Sequence, residues 1–307
     1  MRPLPEQVLH DPVEAGPYRM PMGLITIPEG AWFEIDALYP SEMAEKRLLL
    51  RNRYDEVFAA QPGSDAARVE ALVMISVNLT AHHPDWFTQE GAILRNQLTG
   101  EAWDMGAPEH DPLELASRLV QEDLCLIQNG PEGPVFTAGS LCFPSRWRLN
   151  EKIGCPLAAV HGPVPLYAGR LAGPVDRFMR HLRPDRIASR LNWSILDDPA
   201  LFQPGGKWRD DINDTVTPAN AGQTLFLRVE RQTLRLLPGS TAVLFGIRVH
   251  VYPLRRAIDG AAAAQRMAAA VRALPEAIAR YKSLPSFRTA LLGWLDGQAR
   301  TNNQETS

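Results

Sequence analysis

Cysteine, lysine and long apolar runs are scarce in this chain, and each scarcity excludes a class of protein. The three cysteines cannot form a fully paired disulfide framework, and no Cys-x-x-Cys motif is present to bind zinc or an iron–sulfur cluster. Lysine supplies only four of the 32 basic residues, which we attribute to the base composition of the genome. Because no apolar run reaches the roughly 18 residues that a transmembrane helix needs, we expect no membrane span.

A strong net charge is lacking too. The chain of 307 residues has a formal net charge of −3 and a pI of about 6.2, so no general basic field is available to bind nucleic acid or an anionic membrane. With 45% hydrophobic and 22% charged residues, the composition excludes a wholly disordered chain. The N-terminal residues lack the apolar core of a secretory signal, and we therefore expect a cytoplasmic protein with reduced thiols.

Nucleotide-cofactor motifs are also absent. No GxGxxG, P-loop or GxSxG sequence occurs, so the chain itself is not expected to bind a nicotinamide or flavin cofactor. No HExxH-type helix is present either, and the adjacent pair His82-His83 points its two rings in different directions.

What is present predicts an α+β fold, in which N- and C-terminal helices flank an antiparallel sheet. Apolar residues at helical spacing predict helices over about 41–60 and 66–81. Period-two patterns around turn residues predict β-hairpins over 123–143 and 225–254. Between them, the polar stretch 199–222 is long for a loop without regular structure, which is typical of a functional or mobile segment.

A single body with an extension at each end is expected. Residues 1–45 are rich in proline and aromatic residues and are predicted to form an arm packed on the body. The body spans residues 46–297, within the size of one large domain. Residues 298–307 form a polar tail that we expect to fray.

The second hairpin carries more polar groups than an apolar-packed face would. If its turn centres on the glycine of the Pro-Gly pair, Glu230 lies opposite Arg248. Arg228 then lies opposite His250 on the same face. This face is either solvated, with cross-strand Glu–Arg pairs, or the wall of a pocket. Both remain open, because Arg231 on the other face shows that neither face is cleanly apolar.

His161 is the histidine with the most distinctive surroundings. It follows an apolar run and precedes two prolines in AAVHGPVP (158–165). A rigid backbone would hold the imidazole in one orientation, which suits an axial metal ligand. The alternative, which the residue types alone favour, is a half-buried histidine that hydrogen-bonds the backbone.

Six collinear segments resemble the haem-dependent oxidative N-demethylase family. They are VQEDLCLI (120–127), LCFPSRWRLNEKIGCPLAAVHGPVP (141–165), RLNWSI (190–195), LRVERQTLRLLPGS (227–240), FGIRVHVYPL (245–254) and YKSL (281–284). The resemblance extends over roughly residues 20–295, nearly the whole chain.

The resemblance implies a PAS-like domain that holds a b-type haem (heme b). The family's activity is oxidative demethylation of a small amine, dimethylamine, to methylamine and formaldehyde. Electrons come from NADPH through FMN and an iron–sulfur cluster on partner subunits. We therefore expect a haem monooxygenase subunit whose partners are O2, a small secondary or tertiary amine and a reductase protein, with neither nucleic acid nor membrane among them.

The resemblance also implies the site residues. His161 corresponds to the haem iron ligand, and Tyr167 is expected to contact the haem. Glu230 is the candidate for an acidic pocket residue that binds the amine. Four further residues of the second hairpin are expected here: Arg248 and His250 as catalytic groups, and Arg228 and Arg231 as cofactor-binding groups.

Three other interpretations remain open. A PAS-like haem domain can bind a gas or an amine without turnover, as a sensor does, because fold does not fix function. A haem enzyme of this family could also act on a different N-methylated substrate. A degenerate member without haem would serve only as a structural subunit.

Overall fold

The computed structural model describes residues 3–131 and 133–301. Ten strands occur in these ranges: β1 (Ile25–Ile27), β2 (Phe58–Ala60), β3 (Phe87–Glu90), β4 (Ile93–Asn96), β5 (Glu101–Asp104), β6 (Asp123–Gly130), β7 (Gly133–Ser140), β8 (Ile187–Leu196), β9 (Phe226–Leu236) and β10 (Val243–Pro253). The helices in these ranges are α1 (Tyr39–Asn52), α2 (Tyr54–Val57), α3 (Asp65–His82), α4 (Pro112–Ser117), α5 (Leu157–Val160), α6 (Tyr167–Arg170), α7 (Ala172–Arg180), α8 (Ala221–Thr224), α9 (Leu254–Ala257), α10 (Gly260–Ala273), α11 (Glu276–Tyr281) and α12 (Arg288–Thr301).

A seven-stranded antiparallel sheet organises the fold. Its strand order is β1-β8-β9-β10-β6-β7-β2, and β3, β4 and β5 form a separate three-stranded sheet. The longest pairings, β8 with β9 and β9 with β10, lie next to one another in the large sheet. These are also the strands whose sequence alternates most clearly. Strands β9 and β10, which form the second hairpin, lie in the middle of the sheet. The predicted α+β fold with an antiparallel sheet is confirmed, whereas the likeness to PAS domains stays a prediction.

One face of the large sheet is covered by helices, and we call it the helix face. Leu227, Val229 and Tyr252 on this face share an apolar cluster with Met267 of α10 and Leu291 of α12. Further along the same face, the helices α1, α3 and α4 pack on β6, β7 and β10 in a second cluster. Burial of these apolar side chains contributes about 25 cal/mol per Å² removed from water.

The opposite face is covered by the irregular segment 141–182, and we call it the loop face. Ile247, Val249 and Val251 of β10 pack there against Phe143 and Leu149. Leu157 of α5 and Met179 of α7 form a smaller cluster with residues of β6, β9 and β10. Prolines and glycines interrupt regular structure in this segment, so short helices cover the sheet instead of one long helix.

Several element boundaries differ from those predicted. The predicted helix over 41–60 ends at Asn52, and Phe58–Ala60 instead form the edge strand β2, which pairs with β7. Helix α3 and the two hairpins occur where the sequence predicts them. The stretch around Ala92 to Gly100, whose sequence does not distinguish helix from strand, forms part of the small sheet, because its β-strands are too short to show a clear period.

The two chain ends meet the body in different ways. Leu9 and His10 of the predicted arm hydrogen-bond Tyr252 and Glu34, and α1 begins within the arm, at Tyr39. Helix α12 continues to Thr301, and the rest of the predicted tail, 302–307, lies outside the described residues. The division into arm, body and tail stays a prediction. In the part of the chain that the structure describes, none of the helices has the length and apolar character that crossing a bilayer requires.

Candidate functional site

A group of half-buried, mostly polar side chains lies over the middle of the loop face. Arg190 and Asn192 of β8 and Glu230, Gln232 and Leu234 of β9 all point toward this face and are half-buried. Side chains in the centre of a covered sheet are normally buried, so their partial exposure marks a cleft between the sheet and the covering segment. A cleft with convergent polar groups is the usual form of a small-molecule site.

His161 lies on the covering segment, close enough to these side chains for the charges of Arg190 and Lys207 to act on it. It caps the short helix α5, and its ring Nδ1 is 2.9 Å from the carbonyl oxygen of Leu157. Because a carbonyl only accepts hydrogen bonds, Nδ1 carries the proton and the lone pair remains on Nε2. The His161 ring stacks on Tyr167, with ring centroids 4.5 Å apart and planes 8° from parallel. The imidazole is thereby fixed in orientation and tautomer, as a metal-ligating histidine requires.

The environment of His161 favours its neutral form. Burial lowers the pKa of His161, and the positive charges of Lys152, Arg190 and Lys207 lower it further, while the hydrogen bond to Leu157 acts in the opposite direction. Neutral imidazole is the form that binds a metal ion. The same burial raises the pKa of Tyr167, so its phenol stays protonated beside the ring.

Three of the chain's four lysines lie around this cleft, and sequence reasoning missed all of them. Lys152 donates to the carbonyl of Val160, Lys207 donates to the Tyr281 hydroxyl over 3.2 Å, and Lys282 donates to the carbonyl of Trp193. Burial lowers the pKa of both Lys207 and Lys282 to about 8. The only sequence feature related to these three residues is the low number of lysines in an arginine-rich chain, and base composition explains that number without any functional role.

Glu230 is the acidic group of the cleft. Its Oε2 accepts hydrogen bonds from Asn192 Nδ2 over 3.3 Å and from Gln232 Nε2 over 2.9 Å. Among the described residues, no donor bonds its Oε1. The negative charge of Glu230 acts on Arg190, Lys207 and Lys282, two of which also act on His161. Glu230 and His161 therefore belong to one electrostatic environment.

The predicted hairpin register is wrong by one residue. Glu230 lies opposite Val249 and Arg231 lies opposite Arg248, because the hairpin turn centres between Gly239 and Ser240. Since opposed residues point to the same side, a slip of one residue exchanges the faces of one strand relative to the other. The predicted polar face is therefore divided between the two sides of the sheet.

Arg231, Arg248 and His250 lie on the helix face, away from Glu230. Arg248 forms ion pairs with Asp36 at 2.7 Å and with Glu42 at 2.8 Å. Arg231 and His250 both contact Glu34, at 3.2 Å and 2.9 Å. These contacts hold the segment before α1 on the sheet. Their proposed catalytic and cofactor-binding roles stay predictions, and the structure does not bring these three residues to the cleft near His161.

Arg228 shares the loop face with Glu230 but is fully buried. Its guanidinium donates to the carbonyl oxygens of Phe143 over 2.7 Å and of Leu201 over 3.2 Å. It therefore anchors the start of the covering segment and the 197–220 connection on β9. That connection is the predicted long loop, and it carries Lys207 into the cleft.

The residues of the cleft fit a haem. Glu230 acts on three half-buried cations, Arg190, Lys207 and Lys282, and Lys152 acts on Lys207. Glu151 acts on Lys152 and Lys207, so four cations share two carboxylates. Arg190 Nε is buried without a hydrogen-bond partner in the described chain. Partly desolvated cations in excess over carboxylates favour anionic ligands. The two propionates of a haem would supply them, and His161 Nε2 would supply a nitrogen ligand for the iron. Leu234, Phe245 and Val160 line the same side with apolar surface that a macrocycle needs.

Comparison with known protein families also indicates a haem protein. A family model described as haem-dependent oxidative N-demethylase, alpha subunit-like, matches residues 23–292. The match includes every residue of the cleft, from Lys152 to Lys282, and both hairpins. The name indicates a haem-dependent oxidoreductase that functions as one subunit of several. The chain thus belongs to the family of proteins like the alpha subunit of haem-dependent oxidative N-demethylase.

Proposed function

We propose that this protein is the haem-binding catalytic subunit of an oxidative N-demethylase that acts on a small methylated amine such as dimethylamine. The observation that carries the proposal is the fixed, neutral imidazole of His161 facing a cleft with Glu230 and four cations. The family match supports the haem-dependent oxidative chemistry. We place the protein in the cytoplasm, where its three thiols stay reduced.

His161 Nε2 would bind the haem iron, and the stacked Tyr167 ring would keep the imidazole plane in place. Lys152, Arg190 and Lys207 would pair with the propionates, since all three cations lie close enough to His161 to lower its pKa. When bound, the haem supplies activation of O2 for oxidation of an N-methyl group. The chain supplies the orientation and charge around it.

Glu230 would hold the substrate by accepting a hydrogen bond from the amine N–H through Oε1. Asn192 and Gln232 fix the carboxylate by donating to Oε2, so Oε1 has a defined direction. Lys282, which is not among the propionate partners, disfavours a further positive charge beside Glu230. The amine would therefore be held in its neutral form, with its nitrogen lone pair available.

The overall reaction consumes one O2, two electrons and two protons for each methyl group that leaves as formaldehyde. One oxygen atom ends in formaldehyde and the other in water, and the nitrogen keeps a hydrogen where the methyl group was bound. This chain carries no nucleotide-binding motif, so the electrons would come from NADPH through FMN and an iron–sulfur cluster on a partner reductase.

Replacement of the proposed iron ligand tests the proposal. We expect His161→Ala to lose the Soret band and the stoichiometric haem of the wild-type protein, measured after reconstitution and gel filtration. His181→Ala is a matched control, because His181 makes the same ring contact to the carbonyl four residues earlier but is exposed. A His161→Ala protein with an unchanged Soret band would remove the central claim.

Replacement of the proposed substrate group separates binding from haem retention. Addition of dimethylamine should shift the wild-type Soret band, and Glu230→Gln should keep the haem while weakening the shift about tenfold or more, because a charged hydrogen-bond partner is lost. Formaldehyde release in the presence of a reductant distinguishes turnover from sensing. Amine binding without formaldehyde would favour the sensor.

A further inference from the structure

A second group of metal-ligating side chains lies on the helix face, on the other side of the sheet from His161. His10 of the N-terminal segment, Glu34 before α1 and His250 of β10 each present one ligand atom, and these atoms all lie within 4.8 Å of one another. His10 Nε2 is 2.8 Å from Glu34 Oε1, and His250 Nε2 is 2.9 Å from Glu34 Oε2. The two imidazole rings have centroids 5.2 Å apart.

The ligand types and their exposure suit a divalent ion. Two imidazole nitrogens and one carboxylate are the ligands that Zn²⁺ and similar borderline metals accept. His250 is buried and fixed by the central strand, whereas the side chains of His10 and Glu34 are 20% and 22% exposed, so an ion could enter from solvent. A fourth ligand, water, would reach the ion from the same side.

Little rearrangement would be needed. Atoms that share a tetrahedral Zn²⁺ at about 2.1 Å lie about 3.4 Å apart. The two imidazole–carboxylate distances of 2.8 Å and 2.9 Å would therefore widen by roughly half an ångström. His10 and Glu34 are both on irregular segments before α1, where such a shift strains no helix or strand.

The hydrogen bonding of His250 permits the change of tautomer that binding requires. Next to the Glu34 carboxylate, Nε2 of His250 must be the donor, so Nδ1 is unprotonated. Nδ1 of His250 is buried and has no hydrogen-bond partner in the described part of the chain. Moving the proton from Nε2 to Nδ1 frees Nε2 for a metal and breaks no hydrogen bond at Nδ1.

The neighbouring charged groups also favour binding of a cation, because carboxylates outnumber guanidiniums. Three carboxylates, Glu34, Asp36 and Glu42, face two guanidiniums, Arg231 and Arg248, in this region. Arg231 also donates to the carbonyl oxygens of Trp32 and Ala31, so it can stay in place behind Glu34 and orient its carboxylate.

We propose that His10, Glu34 and His250 form a binding site for a divalent transition-metal ion of the Zn²⁺ type. The ion joins the N-terminal segment to the central strand β10. Its site is separated from the cleft of His161 by the sheet, so it supports the fold of the arm and does not depend on the proposed haem.

The test is titration of the full-length, haem-reconstituted protein with Zn²⁺ by calorimetry, together with the zinc content after gel filtration. We expect one Zn²⁺ per chain, and an affinity that falls about tenfold or more in His10→Ala and in Glu34→Gln. His10 lies on the surface segment, so its replacement does not endanger folding, and circular dichroism checks this. His181→Ala is the exposed-histidine control and should bind as the wild type does.

His161→Ala separates this proposal from the proposed function. Zn²⁺ binding that is unchanged in His161→Ala but lost in His10→Ala supports a site of its own. Loss of Zn²⁺ binding in His161→Ala, equal binding by His10→Ala and the wild type, or no stoichiometric binding at all would each overturn the proposal.

Discussion

At the scale of single residues, the candidate site is characterised by half-buried cations. Burial disfavours the charged form of an amine, so Lys207 and Lys282 lose protons near pH 8 in the folded chain, although a solvated lysine keeps its proton to a pH above 10. Such a shift costs the isolated fold stability, and anions that pair with these lysines recover it.

Lys207 should control how haem affinity depends on pH. If the protonated lysine pairs with a propionate of the proposed haem, haem affinity should fall as the pH rises through the Lys207 pKa of about 8. Lys207→Met should bind haem about tenfold more weakly than the wild type at pH 7 and show a flatter pH dependence, as a charge-assisted hydrogen bond is lost. Haem titration followed at the Soret band measures both. Arg255→Met, on an exposed cation, should change neither quantity, and an unaltered pH dependence in Lys207→Met would contradict the assignment.

At the scale of elements, one acidic residue on α3 sets the turn of the central hairpin. Glu70 accepts hydrogen bonds from the backbone amides of Gly239 and Ser240, over 2.6 Å and 2.7 Å, and from the Ser240 hydroxyl. These bonds lower the pKa of Glu70 against the opposing effect of burial. They place the turn centre between Gly239 and Ser240, which determines which side chains of β9 and β10 share a face.

Removal of this carboxylate should weaken the hairpin. We expect Glu70→Ala to lower the free energy of unfolding by about 1–2 kcal/mol at pH 7, a value reduced for the solvent exposure of Glu70. Because the folded-state pKa is lowered, the stabilisation is present above the ordinary pKa of 4.5 and is lost as the pH falls through the folded value, where mutant and wild type should converge. Urea denaturation at pH 7 and in acid measures the difference in free energy of unfolding between Glu70→Ala and the wild type. Glu14→Ala, at an exposed site, is the control. A Glu70→Ala protein as stable as Glu14→Ala at pH 7 would contradict the prediction.

At the scale of the whole molecule, α7, one of the short helices that cover the loop face, exposes positive charge to solvent. Helix α7 packs Val175, Phe178 and Met179 on the sheet, while Arg177 and Arg180 are exposed at its end. The chain as a whole is weakly acidic, so this surface differs in sign from the average of the molecule. In the proposed enzyme, these exposed arginines would attract an acidic electron-transfer partner and raise its association rate.

Charge reversal on α7 tests that expectation. The double variant Arg177→Glu/Arg180→Glu should keep its haem but be reduced about tenfold more slowly by a reduced, acidic iron–sulfur protein at low ionic strength. The difference should shrink as salt is added, because screening removes long-range attraction. Stopped-flow absorption at the Soret band gives the rates. Equal slowing by Arg255→Glu would show that net charge, not this surface, sets the rate.

The sequence by itself determined the local elements, because their signals are local. Hydrophobic periodicity and turn residues were enough for α3, both hairpins and the α+β class, and the HGPVP segment was enough to single out His161. Glu230 was also named from its strand. Each of these rests on residues of one continuous stretch of chain, where spacing alone carries the information.

Only the tertiary structure decided which of these residues meet. The face of Arg248 and His250 depends on a turn that is positioned by Glu70, far away in the sequence, so a register error of one residue moved both across the sheet. Lys152, Arg190, Lys207 and Lys282 come from four separate segments and have no motif in common. Their convergence follows from how the 141–182 segment and the 197–220 connection cover the loop face, which no local pattern encodes.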